Sequence, residues 1–517
     1  MDLYYFFKSS YKDALITIII GIVAFVIVLV TTLNMISAVI VFLLFAAVAI
    51  FQKSFSRGWL FLLLILLLFP SMKISGAAFT IHDIFLIILA IISLEMILAE
   101  NTKVSLAAIS YYLFLFELIG LSIILFAKIF GQQPDPFVLI IVITIATYWI
   151  ITAAFQYFFQ TQKRLRRFFV LLITIGVIHS MFGLITFGFG FQTPTGLGIT
   201  SGKTQFLAFE NVKYQINGFL GDGYSLRVGN NALAPFLLVT IPLTYALLLN
   251  TRKRKKCTRP LKKIEKTVRF FDSASFSKRT NFFSGSLIQK IKHGMNKQKI
   301  KKIFSGRMFF GILIAIQAIA LVFTFSYVSL IIAAIGIFAM GILLRNKKLI
   351  LFMAAIIVAL ALVLPGTFST VIKESEINAA RWFSGWESVQ DHWIWGSGWK
   401  IGSDESHGAE SIKNSYILIW KYFGILGIAV FAIILWKYFR ELYGNYRKSD
   451  GEKRIWLIGI LAIFLEFLFL GFISNSFFFG PAAIVFWLLF GAIENLKYKQ
   501  IVFGLTETHL TQKHRLL

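Results

Sequence analysis

Apolar stretches of around twenty residues follow one another along most of this chain, with so few charges inside them that a soluble core could not absorb them all. About 20 helical residues cross the hydrocarbon of a bilayer. Inside it only helices and closed barrels satisfy their own backbone polar groups, so unbroken apolar runs of this length read as helices. Of 517 residues 58% are hydrophobic and 15% charged, with mean hydropathy +0.78, whereas a soluble domain carries about a quarter charged residues. The pattern predicts an all-α polytopic membrane protein of about fourteen transmembrane helices, at 13–33, 35–51, 58–70, 79–98, 104–130, 136–160, 168–190, 231–250, 308–325, 327–344, 349–365, 413–436, 455–473 and 480–494. The first run, Ala14 to Leu33, is span length and leads directly into another, so it is expected to be a span and not a cleaved signal peptide. A single cysteine, Cys257, excludes an internal disulfide and a cysteine-rich metal cluster.

Lys and Arg in the short loops set orientation. With the N-terminus cytoplasmic, the inner loops hold Lys53 and Arg57, Lys103, Lys163 to Arg167, Arg345 to Lys348, Lys437 to Arg454, and Lys497 with Lys499, while the outer loops hold almost none. Both termini are then cytoplasmic. The organisation expected is an N-terminal bundle at 1–190, a first outer loop at 191–230, a helix at 231–250, a basic inner loop at 251–307, helices within 308–365, a large outer loop at 366–412, and C-terminal helices and tail at 413–517. The basic loop carries 19 Lys or Arg against Glu265 and Asp272. Next to spans, such a segment fits attachment to anionic lipid, at ~1 kcal/mol per basic residue near the surface. A nucleic-acid role has no aromatic interleaving to support it.

The residues that could carry chemistry sit in the outer loops. The second is expected to be a wet interruption of the membrane part: it carries Arg381, Trp386, His392, Trp395, His407 and Glu410, and five of the eleven tryptophans fall between Trp382 and Trp399. Titratable groups among aromatics suggest a pocket, although tryptophans near spans also form interfacial belts. The first outer loop ends in Arg227, Gly229 and Asn231 with Ala234 just inside the next span. An arginine there can snorkel to headgroups or present its planar fork to a phosphate. Thr324 and Ser326 make a polar break between two spans, and Lys413-Asn414-Ser415-Tyr416 opens another, with Gly424 and Gly427 further along it. Glu117, His179 and Glu466 lie within spans, where ionisable groups are functional candidates by default; pairing inside the bundle is an equal reading of each. No Asp-rich metal motif or Gly-rich nucleotide loop is present.

Taken in order, these elements resemble the O-antigen ligase and O-antigen polymerase family of bacterial envelope enzymes. That pattern has Arg-Val-Gly with Asn-x-Leu-Ala, then Thr-x-Ser-Arg-Gly, then Arg-x4-Trp with His-Pro-Leu-x-Gly-x-Gly, and last His-Asn-Ser-Tyr-Leu with Gly-Leu-x-Gly. The matches are Arg227/Gly229 with Asn231/Ala234, Thr324/Ser326, Arg381/Trp386, His392/Gly396/Gly398, and Asn414/Ser415/Tyr416 with Gly424/Gly427. Tyr327 stands where the family has arginine, and Lys413 where it has the histidine implicated in catalysis. The resemblance implies metal-independent, cofactor-free, inverting glycosyl transfer on the outer face of the bacterial inner membrane, from a polyprenyl-pyrophosphate-linked oligosaccharide. Arg227, Arg381 and Lys413 would bind the pyrophosphate. His407, Glu410 and His392 are the candidate bases; Trp386, Trp395, Asn414 and Tyr416 would hold glycan. The expected partners are the lipid-linked glycans, membrane lipids and a polysaccharide chain-length regulator, with no nucleic acid. Polymerase is the leading expectation in lipopolysaccharide-type polysaccharide synthesis. Ligase has the same motif plan, and a lipid-linked glycan transporter is the alternative of a different class.

Overall fold

The structure is a computed structural model. It describes residues 55–68, 81–99, 108–131, 136–159, 161–189, 198–206, 209–218, 233–250, 306–324, 326–347, 349–351, 379–398 apart from 381, 384, 388 and 391, and 412–493. In chain order the described elements are α1 (Phe55–Leu68), α2 (Ile81–Ala99), α3 (Ala108–Ile129), α4 (Pro136–Phe158), α5 (Gln162–Phe189), β1 (Gly198–Phe206), β2 (Phe209–Gly218), α6 (Leu233–Asn250), α7 (Gly306–Phe323), α8 (Tyr327–Leu343), α9 (Ser415–Lys448), α10 (Gly451–Leu470) and α11 (Pro481–Ile493). Five of these helices, α3, α4, α5, α6 and α9, contain segments long and apolar enough to cross a membrane, and shorter apolar helices accompany them. The chain is thus a helical, membrane-embedded protein. The spans expected at 13–33 and 35–51, and nearly all of 349–365, lie outside the described residues, as does the basic loop 251–307 apart from its last two residues.

One element departs from the all-α expectation. Between α5 and α6, β1 and β2 pair antiparallel, Gly198 opposite Gly218 and Phe206 opposite Phe209, and the ribbon lies along α5. Strand pairing gives this loop internal partners for its backbone N–H and C=O groups, which a loop beside the membrane otherwise surrenders to water.

The chain divides into two units. In one, α1 packs on α2, and the buried Trp59 indole donates to Ser93 Oγ at 2.9 Å. The second holds the remaining helices and the ribbon. Its centre is α6, buried along almost its whole length. Small residues let its neighbours approach: Gly176 of α5 faces Thr240, and Gly459 of α10 faces Pro242 and Ala246. Thr244 Oγ1 donates to Gln317 Oε1 of α7 at 3.2 Å. Close approach at small residues and hydrogen bonds between helices are what bind helices in lipid, where burial of apolar side chains drives little. By contrast α3 turns Leu118, Leu121, Leu125 and Ile129 outward, an apolar stripe suited to acyl chains.

Pairings between helices sort their ends. At one end the Lys437 ammonium sits 5.5 Å from the Tyr112 ring centroid, Arg166 pairs with Glu452 at 3.7 Å, Arg454 donates to Tyr446 Oη, and Tyr446 Oη donates to the Leu343 carbonyl. At the other end Gly398 packs between Ile123 and Val138, and the Tyr416 ring lies tilted against Phe472 at 4.6 Å. The described basic segments around 161–167 and 437–454 lie at the opposite end of their helices from the tryptophan-bearing segment.

Glu466 of α10 is fully buried with neither carboxyl oxygen hydrogen-bonded, and its side chain fills the notch left by Gly336 of α8. A buried polar group without a partner costs about 1–3 kcal/mol. Glu466→Leu is accordingly expected to raise the unfolding temperature in detergent; a drop would mean that the carboxyl has polar work in the folded protein.

Candidate functional site

Gly424 lies nine residues into α9 with φ 63° and ψ −165°, a conformation open to glycine and strained for any other residue. It breaks the helical ladder. In an unbroken helix Ile425 N–H would donate to the Lys421 carbonyl. Instead it donates to the carbonyls of Trp393 (3.0 Å) and Ile394 (3.2 Å), while the Lys421 carbonyl accepts from Ser397 N–H (2.6 Å) and Ser397 Oγ (3.1 Å). The tryptophan-rich segment is thus spliced into the helix by main-chain bonds. Its fit demands glycine on both sides: a Cβ at Gly424 would strike the Ile394 carbonyl, and one at Gly396 (φ 76°) or Gly398 would meet the Tyr422 carbonyl. The glycines at 396, 398 and 424, which the sequence presents as two separate motifs, form one joint.

The same segment is held by side chains. Trp420 of α9 donates its indole N–H to the Trp393 carbonyl at 3.0 Å, and Trp386 meets the Trp420 ring edge-on at 5.1 Å. His392 is half-buried on the turn, and Trp386 and Trp395 are exposed, Trp395 to 70%. The expected wet loop is, over its described part, helical between 379 and 390 and then a turn at 392–398 docked along α9.

The opening of α9 is equally constrained. Asn414 is its N-cap: Oδ1 accepts from Tyr416 N–H (2.9 Å) and Ile417 N–H (3.1 Å), and the side chain is 3% exposed. Ser415 N–H and Oγ donate to the carbonyls of Gly471 and Ser474, Tyr416 Oη donates to the Leu468 carbonyl, and Asn475 Nδ2 donates to the Ile412 carbonyl. Of the two residues expected to hold glycan, Asn414 caps α9 with its Oδ1, and Tyr416 ties α9 to α10 through its hydroxyl. Lys413, half-buried, sits directly before this cap at the same end of the bundle as His392.

Four of the expected residues, Arg227, Arg381, His407 and Glu410, lie outside the described residues, as does Asn231. Thr324 is buried and Ser326 half-buried, and both bond locally: Thr324 Oγ1 donates to the Leu321 carbonyl, and Ser326 Oγ pairs with Ser329 Oγ at 2.7 Å. Ala234 is buried in α6. Among the described residues no group of His, Cys, Asp and Glu is placed to hold a metal ion. The structure adds two polar residues that sequence reasoning passed over, Asn475 and Ser476. Asn475 Oδ1 and Ser476 Oγ are buried without a hydrogen bond beside the start of α9. The dipeptide's position in a short loop free of charge was the only signal available for them.

These features define a membrane protein whose interrupted helix is completed by a docked tryptophan-bearing turn. Comparison with family models and with curated proteins found no match.

Two outcomes follow for the joint. Gly424→Ala is expected to destabilise the protein by about 1–3 kcal/mol, the cost of holding a non-glycine residue in such a conformation, with the clash on Ile394 added; thermal unfolding in detergent reads it. Asn414→Ala should cost about 1 kcal/mol, the usual value of an N-cap, and Asn414→Asp should recover most of it.

Proposed function

We propose that this chain is a glycosyltransferase that joins polyprenyl-pyrophosphate-linked oligosaccharide repeat units into a polysaccharide at the outer face of a bacterial inner membrane. The reading rests on the ordered resemblance to O-antigen polymerases and ligases. One observation supports it most: the turn holding His392, Gly396 and Gly398 and the glycine of the last motif, far apart in the chain, meet at one joint, at the end of the bundle where Lys413 opens α9.

In the proposed reaction an acceptor hydroxyl oxygen attacks the anomeric carbon of the donor sugar. The bond from that carbon to the pyrophosphate oxygen breaks with inversion, and the pyrophosphate leaves on its polyprenyl chain. Arg227, Arg381 and Lys413 neutralise the charge that builds on the leaving group, the kind of electrostatic stabilisation that lowers such barriers most. His407, Glu410 or His392 takes the hydroxyl proton. Lys413, cationic, acts as a clamp where the family carries histidine. Trp386, exposed near the opening of α9, is the ring on which a sugar face can stack; Asn414 and Tyr416 hold the helix start in place. A chain-length regulator would act as partner.

The transporter alternative gains one feature, the interrupted helix, since transporters use broken helices at their binding sites. Here, however, the freed backbone groups Lys421 C=O and Ile425 N–H are taken up by the docked turn, which favours an enzyme with a fixed scaffold.

Purified protein given a lipid-linked oligosaccharide is expected to produce a ladder of products on a gel, lost in Arg381→Ala. Transfer of one intact block would make it a ligase. Movement of the lipid across a vesicle membrane without a covalent product would make it a transporter.

A further inference from the structure

The contacts of residues 385–398 trace a path in depth along α9. Gly385 packs against Ile412 and Ile417, at the opening of the helix. Trp386 meets Trp420, one turn further in. Trp393 and Ile394 accept from Ile425, past the break, and the chain then climbs back, Gly396 and Ser397 lying against Lys421 and Tyr422. The segment descends, turns at Trp393–Trp395 and returns.

We infer that the helical arm ending at Gln390 and the turn at 392–398 form a re-entrant element seated in the outer leaflet, with the face formed by Trp393, Ile394 and Trp395 in contact with the acyl chains of bilayer lipids. Depth comes first. From Ser415 to Gly424 the helix advances about 13 Å at 1.5 Å per residue, close to the half-thickness of a hydrocarbon core about 30 Å across. A second ruler agrees: Gly398 packs on Ile123, which lies five residues inside the exposed Lys128 on α3, or about 7 Å.

The second argument is the fate of the backbone. Irregular chain survives at hydrocarbon depth only where its polar groups find protein partners. Here His392 N–H donates to the Val389 carbonyl, Gly396 N–H to that of His392, and Ser397 N–H to that of Lys421, while the carbonyls of Trp393 and Ile394 accept from Ile425. The third is continuity. Trp393, Ile394 and Trp395 are 50%, 41% and 70% exposed, and beside them Ile425 and Leu426 of α9 are 40% and 51% exposed. They extend a helix face that already meets lipid. Glu387, one residue past Trp386, belongs to the upper part of the path, and the Lys421 ammonium lies 5.6 Å from the Tyr422 ring centroid, a cation–π contact that offsets part of its desolvation.

The test is independent of the enzymatic proposal. Because Cys257 is the chain's single cysteine, Cys257→Ser gives a background for single labelling sites. Nitroxide labels at Ile394→Cys and Trp395→Cys in nanodiscs would be compared with Leu426→Cys on the lipid-facing side of α9 and Thr161→Cys in an exposed loop. Expected is relaxation by dissolved oxygen with loss of relaxation by a water-soluble nickel chelate at 394 and 395, matching 426. Relaxation by the nickel chelate at both sites, matching 161, would overturn the inference and put the turn in water. Both replacements are at exposed positions, and an unchanged elution profile on gel filtration would confirm the fold before labelling.

Discussion

A backbone N–H or C=O in hydrocarbon has no water to turn to, and the architecture follows from meeting that demand where the chain is irregular. Along most of the molecule regular helix does so. At Gly424 it does not, and the protein solves the local deficit by bringing in a second piece of chain whose own irregularity is complementary: one turn has carbonyls to give, the broken helix has a free N–H, and the reverse holds at Ser397 and Lys421. Neither piece is stable in the membrane alone. Together they make a rigid element out of two breaks.

The same logic operates where α9 begins. An N-terminus exposes donors, and Asn414 covers two of them, while Ser415 bonds to the α10–α11 loop, Tyr416 to Leu468 of α10, and Asn475 of that loop donates to the Ile412 carbonyl. Two joints thus fix the first ten residues of α9 from both sides. Any group displayed near them, Lys413 and His392 among them, is carried on a scaffold with little freedom, which is what positioning for group transfer requires.

Much of the fold was legible because a membrane imposes length. The expected spans 136–160 and 327–344 became Pro136–Phe158 and Tyr327–Leu343, since both hydropathy and flanking polar residues change there. Where hydropathy stops before the helix does, the reading fell short: α9 continues past Trp436 to Lys448, where Lys437 meets the Tyr112 ring and Tyr446 bonds to Leu343. The ribbon at 198–218 was missed, although Val212, Tyr214 and Ile216 alternate with polar neighbours as strand residues do; beside twenty-residue apolar runs that short signal was lost. The site was half legible. Spacing singled out the glycines at 396, 398 and 424 but could not reveal that they close on one another. Nor could it say that the amide of Asn414 and the hydroxyl of Tyr416 are already used, since a motif names an atom and not its partner.

The order of synthesis gives the joint at Gly424 a direction. Residues 393–397 leave the ribosome before the helix that they complete, so the mate for the break already exists when Gly424 is made. The upper part of α9 is then threaded against a waiting edge. A protein rearranged so that α9 came first would have to hold an incomplete helix in lipid until its other half arrived.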